Sequence, residues 1–276
     1  MSKKKLNAVD LLKRNQFAPD RTASYETRIV AFYDVLGWTK RIEWAQDHPE
    51  RIGKLKAMLE MFNHFAGAVG RGSSRLSRMT TFSDNVVISQ RLTEGTSFFL
   101  LKVAAAQFAA AAGGFWVRGG VTIGPIVHTE NTVFGPALNR AYELERDVAV
   151  YPRIVLDPNC VHRFAAANGV VTVEDETSFL NPFSEAVFEH LRDVGGDFFL
   201  QCFRLPHMKL YTSPTEIARE NLALVGCLLQ EEMLTTVNDR AWTKLAWLYD
   251  RIRKEVGAGE PSHVYRRTVL HQPVER

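Results

Sequence analysis

The chain has only three cysteines in 276 residues, Cys160, Cys202 and Cys227. Their odd number and wide spacing exclude a disulfide framework and a closely spaced zinc knuckle, and a cytoplasmic address is expected. Net charge is also scarce: 34 Lys and Arg against 31 Asp and Glu leave +3, too balanced for the basic footprint of a nucleic-acid binder. No nucleic-acid partner is expected, and the basic triplet Lys3-Lys4-Lys5 reads as a solvated tail. A long apolar run is missing too. Residues 98–117 come nearest, but Lys102, Gln107 and Gly113-Gly114 interrupt them, which suits a helix packed on a sheet better than a membrane span. The start, MSKKKLNAVDLLKRNQ, carries charge where a secretory signal needs its apolar region. His128, His162, His190 and His207 lack metal-ligand spacing and are assigned surface or core roles.

What is present is ordinary globular material, 46% apolar and 24% charged, long enough for one large domain with an appendage. The run RIVAFYDV, residues 28–35, predicts a buried strand. A helix is expected from Pro49, where Ile52, Leu55, Met58, Leu59, Phe62, Phe65 and Val69 recur at helical spacing until Gly70 and Gly72. Residues 76–90 read as a hairpin turning at Ser83-Asp84-Asn85. An alanine-rich helix follows Gly95, and then a strand with Val117, Gly119, Val121 and Ile123 on one face. Pro125 is expected to turn the chain into a separate strand over residues 126–129.

This β-α-β-β-α-β order predicts an α+β fold of the ferredoxin-like, split βαβ type. Beyond it, residues 134–146 read as a helix, 153–157 as a strand and 158–168 as a helix. Ser213-Pro214-Thr215-Glu216 is a capping box that should start another helix. Trp242, Leu245, Leu248, Tyr249 and Ile252 mark a last amphipathic one. The expected division is an N-terminal arm (1–26), a catalytic domain (27–212) with additional strands and helices, and a helical extension (213–276). Trp242, Trp247 and Tyr249 read as core residues before interface ones.

Two aspartates carry the chemistry. Asp34 ends the first strand in FYDVLGWT and Asp84 sits on the hairpin turn in FSDNVVIS. In a βαββαβ fold the first strand neighbours the hairpin, so the two carboxylates should converge at one end of the sheet. Two like charges held together call for a cation. Hard oxygen ligands suit Mg²⁺ or Mn²⁺, and a pair of such ions about 4 Å apart can hold an attacking and a leaving oxygen in line. Gly37 begins the turn into the first helix, whose free N–H groups could cradle phosphate.

FYDVLGWT resembles the first metal motif of class III nucleotidyl cyclases, and FSDNVVIS the second. VRGGVTIGPIVHT is similar to their central strand pair, and VFGPALNRAYELE to the helix that carries their catalytic asparagine. The resemblance spans roughly residues 27–165 in the family's order. It implies cyclisation of a nucleoside triphosphate with release of pyrophosphate, two divalent ions (Mn²⁺ or Mg²⁺), and a head-to-tail homodimer with composite sites. Asp34, Asp84 and the Val35 carbonyl would hold metal. Leu36, Gly37, Trp38 and Thr39 would wrap the triphosphate, and Asn139 would orient the ribose.

Three positions depart from the family's purine enzymes. Their base-reading lysine and aspartate fall on Thr80 and Thr132, and their transition-state arginine falls on Glu143. Arg140 and Arg146 are the candidate replacements, with Glu143 and Arg146 on one helical face and expected to pair. Loss of both purine readers resembles the pyrimidine cyclases of bacterial Pycsar antiphage systems. That resemblance implies UTP or CTP as substrate, UTP favoured, and a separately encoded effector activated by the cyclic nucleotide. The alternatives are an adenylate or guanylate cyclase with atypical base readers, or an inactive nucleotide-binding dimer.

Overall fold

A computed structural model describes residues 23–67, 77–92, 96–160, 188–190, 198–200 and 215–256. Most of the expected N-terminal arm, nearly all of the helix expected over 158–168, and the Ser213-Pro214 cap lie outside the described residues, as do His162, Cys202 and His207.

The chain opens with β1 (Glu26–Val35), then α1 (Trp38–Ala45) and α2 (Pro49–Gly67). The hairpin β2 (Ser77–Phe82) and β3 (Asn85–Arg91) follows, then α3 (Thr96–Ala112) and β4 (Val117–His128). The two-residue β5 (Val133–Phe134) leads into α4 (Pro136–Glu143) and a π-helical turn at Leu144–Val148. The short strands β6 (Ile154–Leu156), β7 (Phe188–His190) and β8 (Phe198–Leu200) precede two long helices, α5 (Thr215–Thr235) and α6 (Asp239–Val256).

The sheet order is β2-β3-β1-β4-β6-β8-β7, with β5 paired to β4. β1 is antiparallel to both β3 and β4, so the first six elements of the expected pattern form the split βαβ core. This is an α+β fold with strands added beyond β4, as the residue pattern predicts.

Three details differ from the sequence reading. One helix was expected after β1, but there are two, because Gln46 leaves helical geometry as the cap of α1 and Asp47 takes a positive φ of 63°. Pro125 does not end β4. It pairs with Thr27 at the exposed edge of an unbroken ladder, where its missing N–H is tolerated. The helix expected over 134–146 is α-helical only to Glu143 and then widens into the π turn.

Strand alternation sorts β1 into two faces. Ile29, Ala31, Tyr33 and Val35 point into a large apolar cluster with Phe62, Phe99, Leu100 and Val121. Leu222, Val225 and Leu229 of α5 and Leu245, Leu248 and Ile252 of α6 belong to that same cluster. Val30 and Phe32 point the other way, with Val87, Ile126, Ala137 and Ala141 beneath α4. Helix α4 sits very close to the sheet. A methyl group on Gly120 would lie 2.3 Å from the Ala141 carbonyl oxygen and 2.6 Å from Leu144 Cβ. Only a glycine there allows that approach.

Candidate active site

Asp34 sits at the C-terminal end of β1 on the α4 face. Its ladder partner is Asn85 on one side and Arg118 on the other, and residues directly opposite in an antiparallel pair share a face. The Val35 N–H donates to the Asp84 carbonyl at 3.2 Å, and Asn85 Nδ2 donates to Asp84 Oδ1 at 3.1 Å. The hairpin therefore ties Asp84 to the end of β1 that carries Asp34. The tight turn is made possible by Ser83, which takes a positive φ of 56°.

Arg118 was not singled out in the sequence. Its Nε lies 3.0 Å from Asp34 Oδ2 and 2.5 Å from Glu145 Oε1. Glu145 comes from the π turn and is almost fully buried. Burial pushes its carboxyl up to about 7, Asp34 pushes in the same direction through charge and hydrogen bonding, and Arg118 opposes both. Lys244 of α6 is near enough to feel all three, and its ammonium is lowered by burial and by Arg118, against the pull of Asp34 and Glu145. Two carboxylates thus share the Arg118 guanidinium, with the Lys244 ammonium close by.

Asp34, Asp84 and the Val35 carbonyl are hard oxygen donors at one sheet end, the donor set that Mg²⁺ and Mn²⁺ take. The residues present fit a divalent ion. Among the described residues no cluster of three His, Cys, Asp or Glu side chains forms a site by itself, so any ion here needs ligands beyond side-chain carboxylates.

Gly37 has a left-handed φ of 74°, a conformation glycine adopts without strain. It turns the chain from β1 into α1, where the first intrahelical bond runs from Arg41 N to the Gly37 carbonyl at 3.2 Å. The N–H groups of Trp38, Thr39 and Lys40 precede it, at the positive end of the helix. Leu36 donates its N–H to the Trp116 carbonyl at 2.8 Å and packs on the apolar cluster with Trp38.

Thr80 lies on β2 opposite Val87, on the α4 face. Its Oγ1 is 3.0 Å from His128 Nε2, while His128 Nδ1 is 2.8 Å from Ser89 Oγ. His128 is therefore a buried, doubly bonded side chain. Burial, with Arg28 and Arg78 nearby, lowers its imidazole to about 4, so the ring is neutral near pH 7. Thr132 is exposed in the turn between β4 and β5, held by the Thr129 hydroxyl at 3.1 Å. The pairing of His128 with Val133 places Thr132 next to the strand position that reaches Thr80.

Asn139 is exposed on α4, with its N–H bonded to the Gly135 carbonyl at 3.2 Å. Arg140 donates through Nε to the buried Asp157 at 2.9 Å, and Asp157 also accepts from Thr122 Oγ1 at 2.9 Å. Glu143 pairs with Arg140 at 3.6 Å, and Arg146 instead donates twice to Asp147. The expected Glu143–Arg146 pair does not form, because the π turn alters the residue spacing after Glu143. Trp247 stacks on Tyr151 at 5.0 Å within the chain.

Arg118 gave no residue-level signal, because only the strand ladder sets it opposite Asp34. Glu145 and Lys244 had none, since both depend on how the π turn and α6 pack.

No protein-family model matches the chain, and no curated protein does either. Similar solved structures include the catalytic core of a rhodopsin-guanylyl cyclase with converted specificity in complex with ATPalphaS, at TM-score 0.42 and 11% identity, covering 64% of this chain and 97% of that one. A bacterial light-regulated adenylyl cyclase matches at TM-score 0.43 and 13% identity, covering 80% of this chain and 64% of that one. The adenylate/guanylate cyclase/hydrolase from Silicibacter pomeroyi matches at TM-score 0.37 and 14% identity, covering 64% and 96%.

Proposed function

We propose that the chain is a class III nucleotidyl cyclase that converts a pyrimidine nucleoside triphosphate, UTP in preference to CTP, to its 3′,5′-cyclic monophosphate and pyrophosphate. The observation that carries this reading is the convergence of Asp34 and Asp84 at one sheet end, joined by the Val35 N–H to the Asp84 carbonyl. Asp34, Asp84 and the Val35 carbonyl would hold two divalent ions, Mn²⁺ or Mg²⁺. When bound, such ions neutralise the triphosphate and favour charge development on the reacting oxygens.

The protein's own groups do the positioning, which is most of what phosphoryl chemistry asks of an enzyme. The N–H groups that follow Gly37 receive phosphate oxygens, with Leu36, Gly37, Trp38 and Thr39 forming the wrap. Thr80 and Thr132 face the base in place of charged purine readers. Asn139 orients the ribose. Arg140, held by Asp157 and Glu143, and Arg146, held by Asp147, are the two candidate cations.

Asn139 is exposed on α4. That agrees with composite sites in a head-to-tail homodimer, where Asn139 of one copy serves the aspartates of the other. No described helix is long and apolar enough to cross a membrane. A cytoplasmic enzyme signalling to a separately encoded effector in antiphage defence completes the reading.

The test is incubation of the purified protein with Mn²⁺ and each of the four ribonucleoside triphosphates, with products identified by mass. Cyclic UMP is expected as the main product. Cyclic AMP alone defeats the pyrimidine reading. Pyrophosphate release no faster than that of Asp84→Ala leaves a nucleotide-binding scaffold, the alternative that Glu143 at the arginine position favours.

A further inference from the structure

One buried polar chain lies behind Thr80. Arg28 Nε donates to Ser89 Oγ at 2.9 Å, and Ser89 Oγ lies 2.8 Å from His128 Nδ1. The other ring nitrogen, Nε2, meets Thr80 Oγ1 at 3.0 Å. Ser89 and Thr80 are diagonal neighbours on one sheet face, because Thr80 pairs with Val87 and Arg78 with Ser89. The end of β4 brings His128 over that face, so one imidazole bridges both hydroxyls.

The direction of these bonds follows from where each hydrogen can go. Arg28 can only donate, so the Ser89 oxygen accepts from it. Ser89 is fully buried, and the one further partner its hydroxyl meets among the described residues is His128 Nδ1. If Nδ1 carried the proton, the Ser89 hydrogen would be buried without an acceptor, which is costly. Nδ1 is therefore the acceptor. A neutral ring, as the pKa of about 4 requires near pH 7, must then carry its hydrogen on Nε2 and donate to Thr80. Thr80 keeps its own hydroxyl hydrogen for another acceptor, and its half-buried position leaves it open to one.

We propose that Arg28, Ser89 and His128 form a relay that fixes the Thr80 hydroxyl as a hydrogen-bond donor to the substrate base, selecting a base edge with a carbonyl oxygen over one with an amino group. The proposal rests on the nucleotidyl cyclase reading and adds to it the reason for uracil over cytosine. Arg28, Ser89 and His128 are positioning residues that act through Thr80. The same relay favours guanine over adenine if the site admits a purine, so the selection is independent of ring size.

Two measurements on the full chain test it. In ¹⁵N-histidine-labelled protein at pH 7, long-range ¹H–¹⁵N spectra report the His128 tautomer without any substrate, with His128→Gln identifying the signal. Protonated Nε2 and bare Nδ1 are expected; protonated Nδ1 overturns the relay. The second is kcat/KM for UTP against CTP, with GTP against ATP beside it. Wild type should favour the carbonyl-bearing base in each pair. Ser89→Ala should reduce the UTP-to-CTP ratio about tenfold, the scale of one hydrogen bond, and Ser89→Thr should restore it. A ratio unchanged in Ser89→Ala, or a wild-type preference for CTP or ATP, overturns the proposal while leaving the cyclase reading standing. Absence of product from every triphosphate removes the cyclase reading and the base-recognition claim together, whatever the tautomer.

Discussion

The two faces of the sheet are built from the same strands and hold together by different physics. On one face, Ile29, Ala31, Tyr33 and Val35 of β1 meet the helices α2, α3, α5 and α6 through apolar contacts. On the other, the alternate residues Arg28, Val30, Phe32 and Asp34 meet α4 and the end of β4, and nearly every second position is polar or charged. Arg28, Ser89, Thr122, His128, Glu145 and Asp157 are all buried there. A buried polar group costs free energy unless it is paired, so a face with this many is poor at stabilising a fold and well suited to holding charged ligands. The apolar face keeps the sheet folded, which lets the polar face carry strained charge such as the Asp34–Arg118–Glu145 cluster.

Substitutions on the two faces should therefore separate activity from stability. On the polar face, Asp34→Ala is expected to lower turnover about a thousandfold, the scale of a lost electrostatic group at a reacting phosphate, with little change in the unfolding midpoint. Pyrophosphate release and thermal melts of the same preparation check it, and a parallel loss of both breaks the contrast. On the apolar face, Phe62 is fully buried and packs on Tyr33 at 5.1 Å. Phe62→Ala is expected to cost about 3–4 kcal/mol of stability in urea unfolding. Turnover per folded molecule should change little.

The smallest effect is a pH dependence confined to the polar face. The His128 imidazole is depressed from 6.5 to about 4 in the folded state. Between those values the unfolded chain binds more protons, so this contribution is fully present above about pH 6.5. It is lost as pH falls toward 4, by at most about 3 kcal/mol. Glu145, raised from 4.5 to about 7, acts in the opposite sense. It holds a proton in the folded state that the unfolded chain releases, so its contribution is lost as pH rises through 7. Urea midpoints of wild type and His128→Gln between pH 7.5 and 4.5 isolate the histidine, because Glu145 is common to both. The variant should gain on wild type as pH falls, and a constant gap contradicts the assignment.

The apolar face was readable in the sequence because periodicity reports burial. The β-branched and aromatic run of residues 28–35 and the helical spacing from Ile52 to Phe65 placed β1 and α2 correctly. On the polar face the sequence offered candidates only where a motif marked them, at Asp34, Thr80, Asp84, Asn139 and Arg140. Arg118 and Ser89 look like ordinary strand residues until the ladder puts them opposite Asp34 and diagonal to Thr80. The place of Glu145 and the failure of Glu143 to pair with Arg146 depend on a π turn, which alters the 3.6-residue spacing that helical reasoning assumes. Pro125 misled for a related reason: an edge position tolerates proline, and sequence alone does not show which strand edge is open.

The central claim is that Asp34 and Asp84 act together as a divalent-metal site over a triphosphate. Electron paramagnetic resonance of free Mn²⁺, titrated with the protein and a non-hydrolysable UTP analogue, tests it most directly. Wild type should deplete the free Mn²⁺ signal beyond what the analogue alone removes, and the Asp34→Asn, Asp84→Asn double variant should not. Equal depletion by the two proteins would contradict the account.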